Sequence, residues 1–136
     1  MNEAEAISAL TGFISEINST YIDYISVISA FLIMSYFAAH KLNAKLMYVV
    51  VVLFTIVAGN IIFSLFLLNN DLDHLYAYII EQKLAGTYDL PWFGMNPEWA
   101  SPTLTALQVF STIGGYLGCI FFFFYQRTHG QDENGT

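Results

Sequence analysis

From Leu46 to Leu68 the chain runs for 23 residues without a charge, and most of them are Val, Ile, Leu or Phe. Coiled as a helix, such a run rises about 35 Å, enough to cross a hydrocarbon layer of about 30 Å. Water offers no surface on which a helix this apolar can lie. Two other stretches share its character. Tyr21 to Ala39 is apolar apart from Asp23 and a few hydroxyls, and with His40 it makes a span over 20–40. Thr103 to Gln126 is uncharged over 24 residues. Composition agrees: only 11% of the chain is charged, against about 25% in soluble domains. So few charges cannot cover the surface of a soluble domain of 136 residues. The expected fold class is an all-α integral membrane protein. Three transmembrane helices, over 20–40, 46–68 and 103–126, form a single membrane domain covering 1–136.

The segments between the spans are patterned as well. Ile7, Leu10, Ile14, Ile17 and Tyr21 recur at alternate spacings of three and four, a helical stripe. Asn2 followed by Glu5 resembles a capping box. The segment 3–17 is too polar to span, so it predicts an amphipathic helix lying in the membrane interface or extending the first span. Asn18-Ser19-Thr20 favours a break between them, because these residues cap helices better than they continue them. Leu72, Leu75, Ile79 and Leu84 mark a second amphipathic stripe over 71–84, with Asn70 as its N-cap and Gly86 just past its end. It reads as a separate interfacial helix. The loop 87–101 is rich in Trp and Pro. Trp92, Phe93 and Trp99 suit the headgroup level, where aromatic rings anchor. Ser101 and Pro102 are good first residues for the third span. The tail 127–136 is polar and expected to be disordered.

Lys41, Lys45 and Arg127 fall on one side of the bilayer and Lys83 on the other, which also holds nine of the eleven acids. The positive-inside rule then puts the 40–45 turn and the C-terminus in the cytoplasm, with the N-terminus and the 70–101 connection outside. The acidic N-terminus does not read as a cleavable signal, whose first residues are basic.

A net charge of −7 argues against nucleic acid, whose binding needs clustered Lys and Arg. The lone Cys119 cannot form an intrachain disulfide, and His40, His74 and His129 fall at different depths, so no metal site is expected. No catalytic motif is present and no cofactor is implied. The most informative pattern is the third span. Thr105, Gln108, Ser111, Thr112, Gly115, Gly118 and Cys119 lie on one side of it, with Gly114–Gly118 forming a GxxxG pair. Phe110, Ile113, Leu117 and Phe121 lie on the other. A small face of this kind suits close helix packing or, in an oligomer, the lining of a pathway. Asn60 and Ser64 on the second span, and Ser26, Ser29 and Ala30 on the first, are the matching candidates. The expected function is that of a small non-enzymatic membrane subunit. Its partners are the lipid bilayer and either further copies of the chain or a larger membrane complex. The alternative is an oligomeric channel or transport protein lined by the third helix.

Overall fold

A computed structural model describes residues 1–94 and 100–130. Among them the chain is all-helical, without strands. Helix α1 spans Glu3–Ala38, α2 Ala44–Leu84 and α3 Ala100–His129, with a short 3-10 turn at Ala39–Lys41 between the first two. All three are long and apolar enough to cross a membrane. At 1.5 Å per residue they measure about 54, 62 and 45 Å, so each exceeds a 30 Å hydrocarbon layer and the first two exceed it by far.

The helices start where local chemistry favours it. The Asn2 side chain accepts the Glu5 amide at 2.8 Å, and the Glu5 carboxylate accepts the Asn2 amide at 3.0 Å, completing the capping box. Asn43 caps α2 by accepting the Leu46 amide at 2.8 Å. Helix α2 ends in a Schellman motif. Gly86, at φ +75°, donates its amide to the Lys83 carbonyl, and Thr87 donates to Gln82, both at 3.0 Å.

Two expected breaks are absent. Helix α1 passes through Asn18-Ser19-Thr20, and α2 passes through Asn69-Asn70 into 71–84. The cap-forming side chains turn back onto their own helices. Thr20 donates to the Glu16 carbonyl at 2.9 Å, and the Asn69 amide donates to the Leu65 carbonyl at 2.8 Å. The stripe over 3–17 and the stripe over 71–84 then cover each other. Ala6 and Ile79 are fully buried in one cluster, with Ile7, Leu10 and Leu75 packed around them. There is no separate interfacial helix at either place. At the other end α3 carries on through Arg127 to His129, where a disordered tail was expected; residues 131–136 lie outside the described part.

The chain leaving α2 folds back over this cluster as a clasp. Tyr88, Leu90 and Phe93 are buried in it. The Tyr88 hydroxyl donates to the Met1 carbonyl at 2.8 Å, the Asp89 amide donates to the Glu3 carboxylate at 3.1 Å, and Lys83 donates to the Phe93 carbonyl. Burial pushes the Tyr88 phenol above its ordinary value of 10.0, and the nearby Tyr78, Glu3 and Glu5 push the same way. The fold thus favours the protonated phenol. That contribution is complete below about pH 10 and is lost as pH rises through the raised value. In a Trp99→Phe background, where Trp92 is the remaining tryptophan, its fluorescence should therefore report opening of the clasp in a titration above pH 10. In Tyr88→Phe that transition should vanish, and a transition of unchanged size would assign the opening to another group.

A second cluster holds the three apolar runs together. Phe31 of α1 stacks on Phe54 of α2 with ring centroids 3.8 Å apart, and Phe123 of α3 leans on Phe31 at 5.5 Å. Ala39, Ala58 and Cys119 supply the room for these rings. Along α1 the inner stripe is Tyr24, Ile28, Phe31 and Ser35; along α3 it is Thr112, Tyr116, Cys119 and Phe123. Both have spacings of four, three and four, the seam of two helices packed side by side. Ser26, Ser29 and Ala30, the expected packing face of α1, are exposed and lie outside this seam.

Candidate functional site

The small face of α3 divides into parts with different surroundings. Gly115 belongs to α1. A Cβ placed on it would lie 2.9 Å from the Tyr24 hydroxyl oxygen. That hydroxyl donates to the Thr112 carbonyl of α3, so the tyrosine reaches across a position that carries no side chain. Thr112 is buried and returns its own hydroxyl to the Gln108 carbonyl at 2.8 Å. Cys119 is buried, with its sulfur 4.0 Å from the Ile28 carbonyl. Ser111 pairs with the Tyr21 hydroxyl at 2.9 Å. At the turn end Arg127 donates to the Leu42 carbonyl at 3.2 Å. Helix α3 is thereby tied to α1 and the turn along most of its length.

Its ties to α2 are fewer. Tyr116 stacks on Phe54 with centroids 5.6 Å apart, and its hydroxyl pairs with Thr55 at 2.8 Å. Toward the start of α3 the two helices diverge. Thr105 and Gln108 border the groove that opens between them, opposite Gly59, Ile62 and Phe66.

Among the described residues, nothing lies within 4 Å of a Cβ built on Gly114 or Gly118. Elsewhere on the uncovered part of α3, Phe110, Leu117 and Phe121 are 79%, 58% and 73% exposed. Asn60 is exposed too, on the side of α2 opposite buried Ala58, while Ser64 is half-buried. Ser26 returns its hydroxyl to the Ile22 carbonyl at 2.9 Å.

Two of the proposed aromatic anchors separate. Trp92 is exposed, whereas Phe93 is buried against Tyr76, their centroids 4.7 Å apart, and serves as a core residue of the clasp. Trp99 lies outside the described residues. Among the described residues, no three His, Cys, Asp or Glu side chains come together as a metal-binding group.

Sequence reasoning missed the aromatic half of the α1–α3 seam. Tyr24, Phe31, Tyr116 and Phe123 do the joining, and the small residues matter where they admit those rings. The signal was present as the four-three-four spacing on both helices. No protein-family model matches the chain, and neither a curated protein nor a solved structure matches it.

Proposed function

We propose that the chain is a membrane-inserted, non-enzymatic subunit that works by helix–helix assembly, with copies of itself or within a larger complex. In this reading the apolar lengths of α1, α2 and α3 lie in the bilayer. The 40–45 turn and the C-terminus face the cytoplasm, where Lys41, Lys45 and Arg127 gather. The paired ends of α1 and α2, with their acids, stand in the outer aqueous phase.

The observation that carries the reading is the uncovered Gly114–Gly118 pair. Between two helices in lipid no hydrophobic effect draws them together, and association depends on close contact and hydrogen bonds. The chain supplies a GxxxG pair, and among the described residues nothing lies within 4 Å of a Cβ built on either glycine. Asn60 adds to this. It lies toward the middle of the uncharged run of α2, on an outward side, where an amide needs a partner from another helix. The assembly reading is favoured over a pathway along α3 because Thr112, Gly115 and Cys119 are taken up by α1.

Gly118→Leu tests it. No neighbour within the chain stands in the way, so the thermal unfolding of the variant in mild detergent should match that of the wild type. Its particle mass, read by light scattering with the detergent subtracted, should fall to that of one chain. A wild-type particle already containing a single chain and no partner, or an assembly that survives Gly118→Leu, would overturn the proposal.

A further inference from the structure

The divergence of α2 and α3 leaves a groove of about 400 Å³, a volume usual for small-ligand sites. Its α2 wall starts at Gly59, continues through Ile62 and Phe66, and ends at Asn70 and Asp73. Its α3 wall is Ile113 and Val109, then Gln108 and Thr105. The polar residues fall at the same end on both helices, where α2 passes out of its uncharged run and α3 enters its own. The groove is therefore an apolar slot with a polar mouth.

Its length fits one leaflet. From Gly59 to Asp73 the helix rises about 21 Å. Half of a 30 Å hydrocarbon layer plus one headgroup layer is about 20–22 Å. The slot is narrow, walled by Ile62 and Phe66 on α2 and by Val109 and Ile113 on α3. A single acyl chain is slender enough.

The mouth selects by charge. Asp73 lines it and no Lys, Arg or His does, among the described residues. Asn69 gives one of its two amide hydrogens to the Leu65 carbonyl, and its carbonyl oxygen is a further acceptor one turn from Asp73. The acids that dominate this end of the molecule disfavour a lipid of net negative charge. A headgroup carrying a primary ammonium supplies what the mouth lacks: a positive charge with several N–H donors.

We propose that this groove is a binding site for one phospholipid bearing a primary ammonium headgroup, of the phosphatidylethanolamine class. One acyl chain lies along Gly59, Ile62, Phe66, Val109 and Ile113. The ammonium donates to Asp73, and the phosphate faces Thr105 and Gln108. The proposal needs the membrane insertion inferred above but not the assembly, and it concerns a different side of α3.

Native mass spectrometry of the protein released from mild detergent tests it, with dioleoyl phosphatidylethanolamine, phosphatidylcholine and phosphatidylglycerol offered in turn. The wild type should retain one phosphatidylethanolamine per chain and prefer it over phosphatidylglycerol by about tenfold. Asp73→Asn should abolish the preference while leaving the fold intact, since Asp73 is exposed. Val109→Trp should fill the slot and cut retention of all three lipids. Asp73→Asn keeps the test decisive should the bulky variant fail to fold. Gly118→Leu should keep its lipid, which separates failure of this site from failure of assembly. Equal retention of the three lipids by the wild type, or a preference that survives Asp73→Asn, would overturn the proposal. A lipid-free wild type with a second chain in the slot would overturn it as well.

Discussion

Gly115→Leu should pull α3 away from α1, and even Gly115→Ala should cost about 1–2 kcal/mol, within the range for overpacking a tight contact. The added methyl would stand 2.9 Å from the Tyr24 hydroxyl oxygen. A long, flexible neighbour would swing aside cheaply. Tyr24 has only two side-chain torsions, is 4% exposed, and is held by its hydrogen bond to the Thr112 carbonyl. To make room it must give up that bond or move the helix. Leucine adds three more heavy atoms to the same space and should cost about 3 kcal/mol, the upper end of that range.

Tyr24→Phe supplies the test. Without the hydroxyl, the nearest ring atoms lie 3.7 and 3.8 Å from the new methyl, an ordinary contact. Gly115→Ala should therefore cost clearly less in the Tyr24→Phe background than in the wild type. Denaturant unfolding of the four proteins, followed by circular dichroism, measures the coupling. Equal costs in both backgrounds would mean that the tyrosine does not cross at Gly115. One position away the sign should reverse. Within a single chain Gly114→Ala meets nothing among the described residues within 4 Å, so its effect on the unassembled chain is the better helix propensity of alanine, about 1 kcal/mol in its favour. Adjacent glycines of α3 thus separate into one that admits Tyr24 and one that the described chain leaves uncovered.

The three apolar runs were legible because nothing competes with their message: uncharged length and helical periodicity have one structural solution. The capping box at Asn2 and the helix stop at Gly86 were legible because they are local, each completed within six residues. The two joins were not. Asn18-Ser19-Thr20 and Asn69-Asn70 carry side chains that can cap a new helix or bond back to the old one. The choice depends on whether the flanking stripes have something to pack on. Each stripe announces an apolar face without saying what covers it. Read singly, 3–17 and 71–84 both ask for a membrane; placed side by side, they cover each other. Phe93 was misjudged for the same reason, since an aromatic ring in a loop suits a headgroup layer as well as a second small core. On α1 the small stripe Ser26, Ser29 and Ala30 drew attention from Tyr24, Phe31 and Ser35, because small residues signal close approach. In this fold the close approach is an aromatic ring laid against a glycine or alanine on the next helix. Gly59 and Gln108 gave no hint of a groove, which exists only because α3 follows α1 and leaves α2.

Asp71→Pro should break the molecule at the join between the apolar run of α2 and its overhang. The same substitution would be harmless in the other architecture. If 71–84 began as its own helix, Asn70 would be the cap and position 71 the first helical residue, the place proline prefers. In the continuous α2, proline at 71 removes the amide that bonds four residues back. Its ring also clashes with the Leu67 carbonyl, at a cost of about 3 kcal/mol or more. The penalty falls on the overhang, because the apolar run below it stays tied to α1 by Phe54 and Phe31. Ile79 would lose its register with Ala6, and Tyr88 and Phe93 would lose the surface they close over. Spin labels at Tyr48 and Ala77, both exposed, read this directly in a Cys119→Ala background. A continuous helix sets them about 44 Å apart with a narrow distribution. Asp71→Pro should shorten and broaden that distance and change Trp92 emission as its ring parts from Phe93, while Asn70→Ala should change neither. An Asp71→Pro protein that keeps wild-type stability and Trp92 emission would show that the helix already ends at Asn70. The overhang would then be free to lie on the membrane, and the clasp would need another footing.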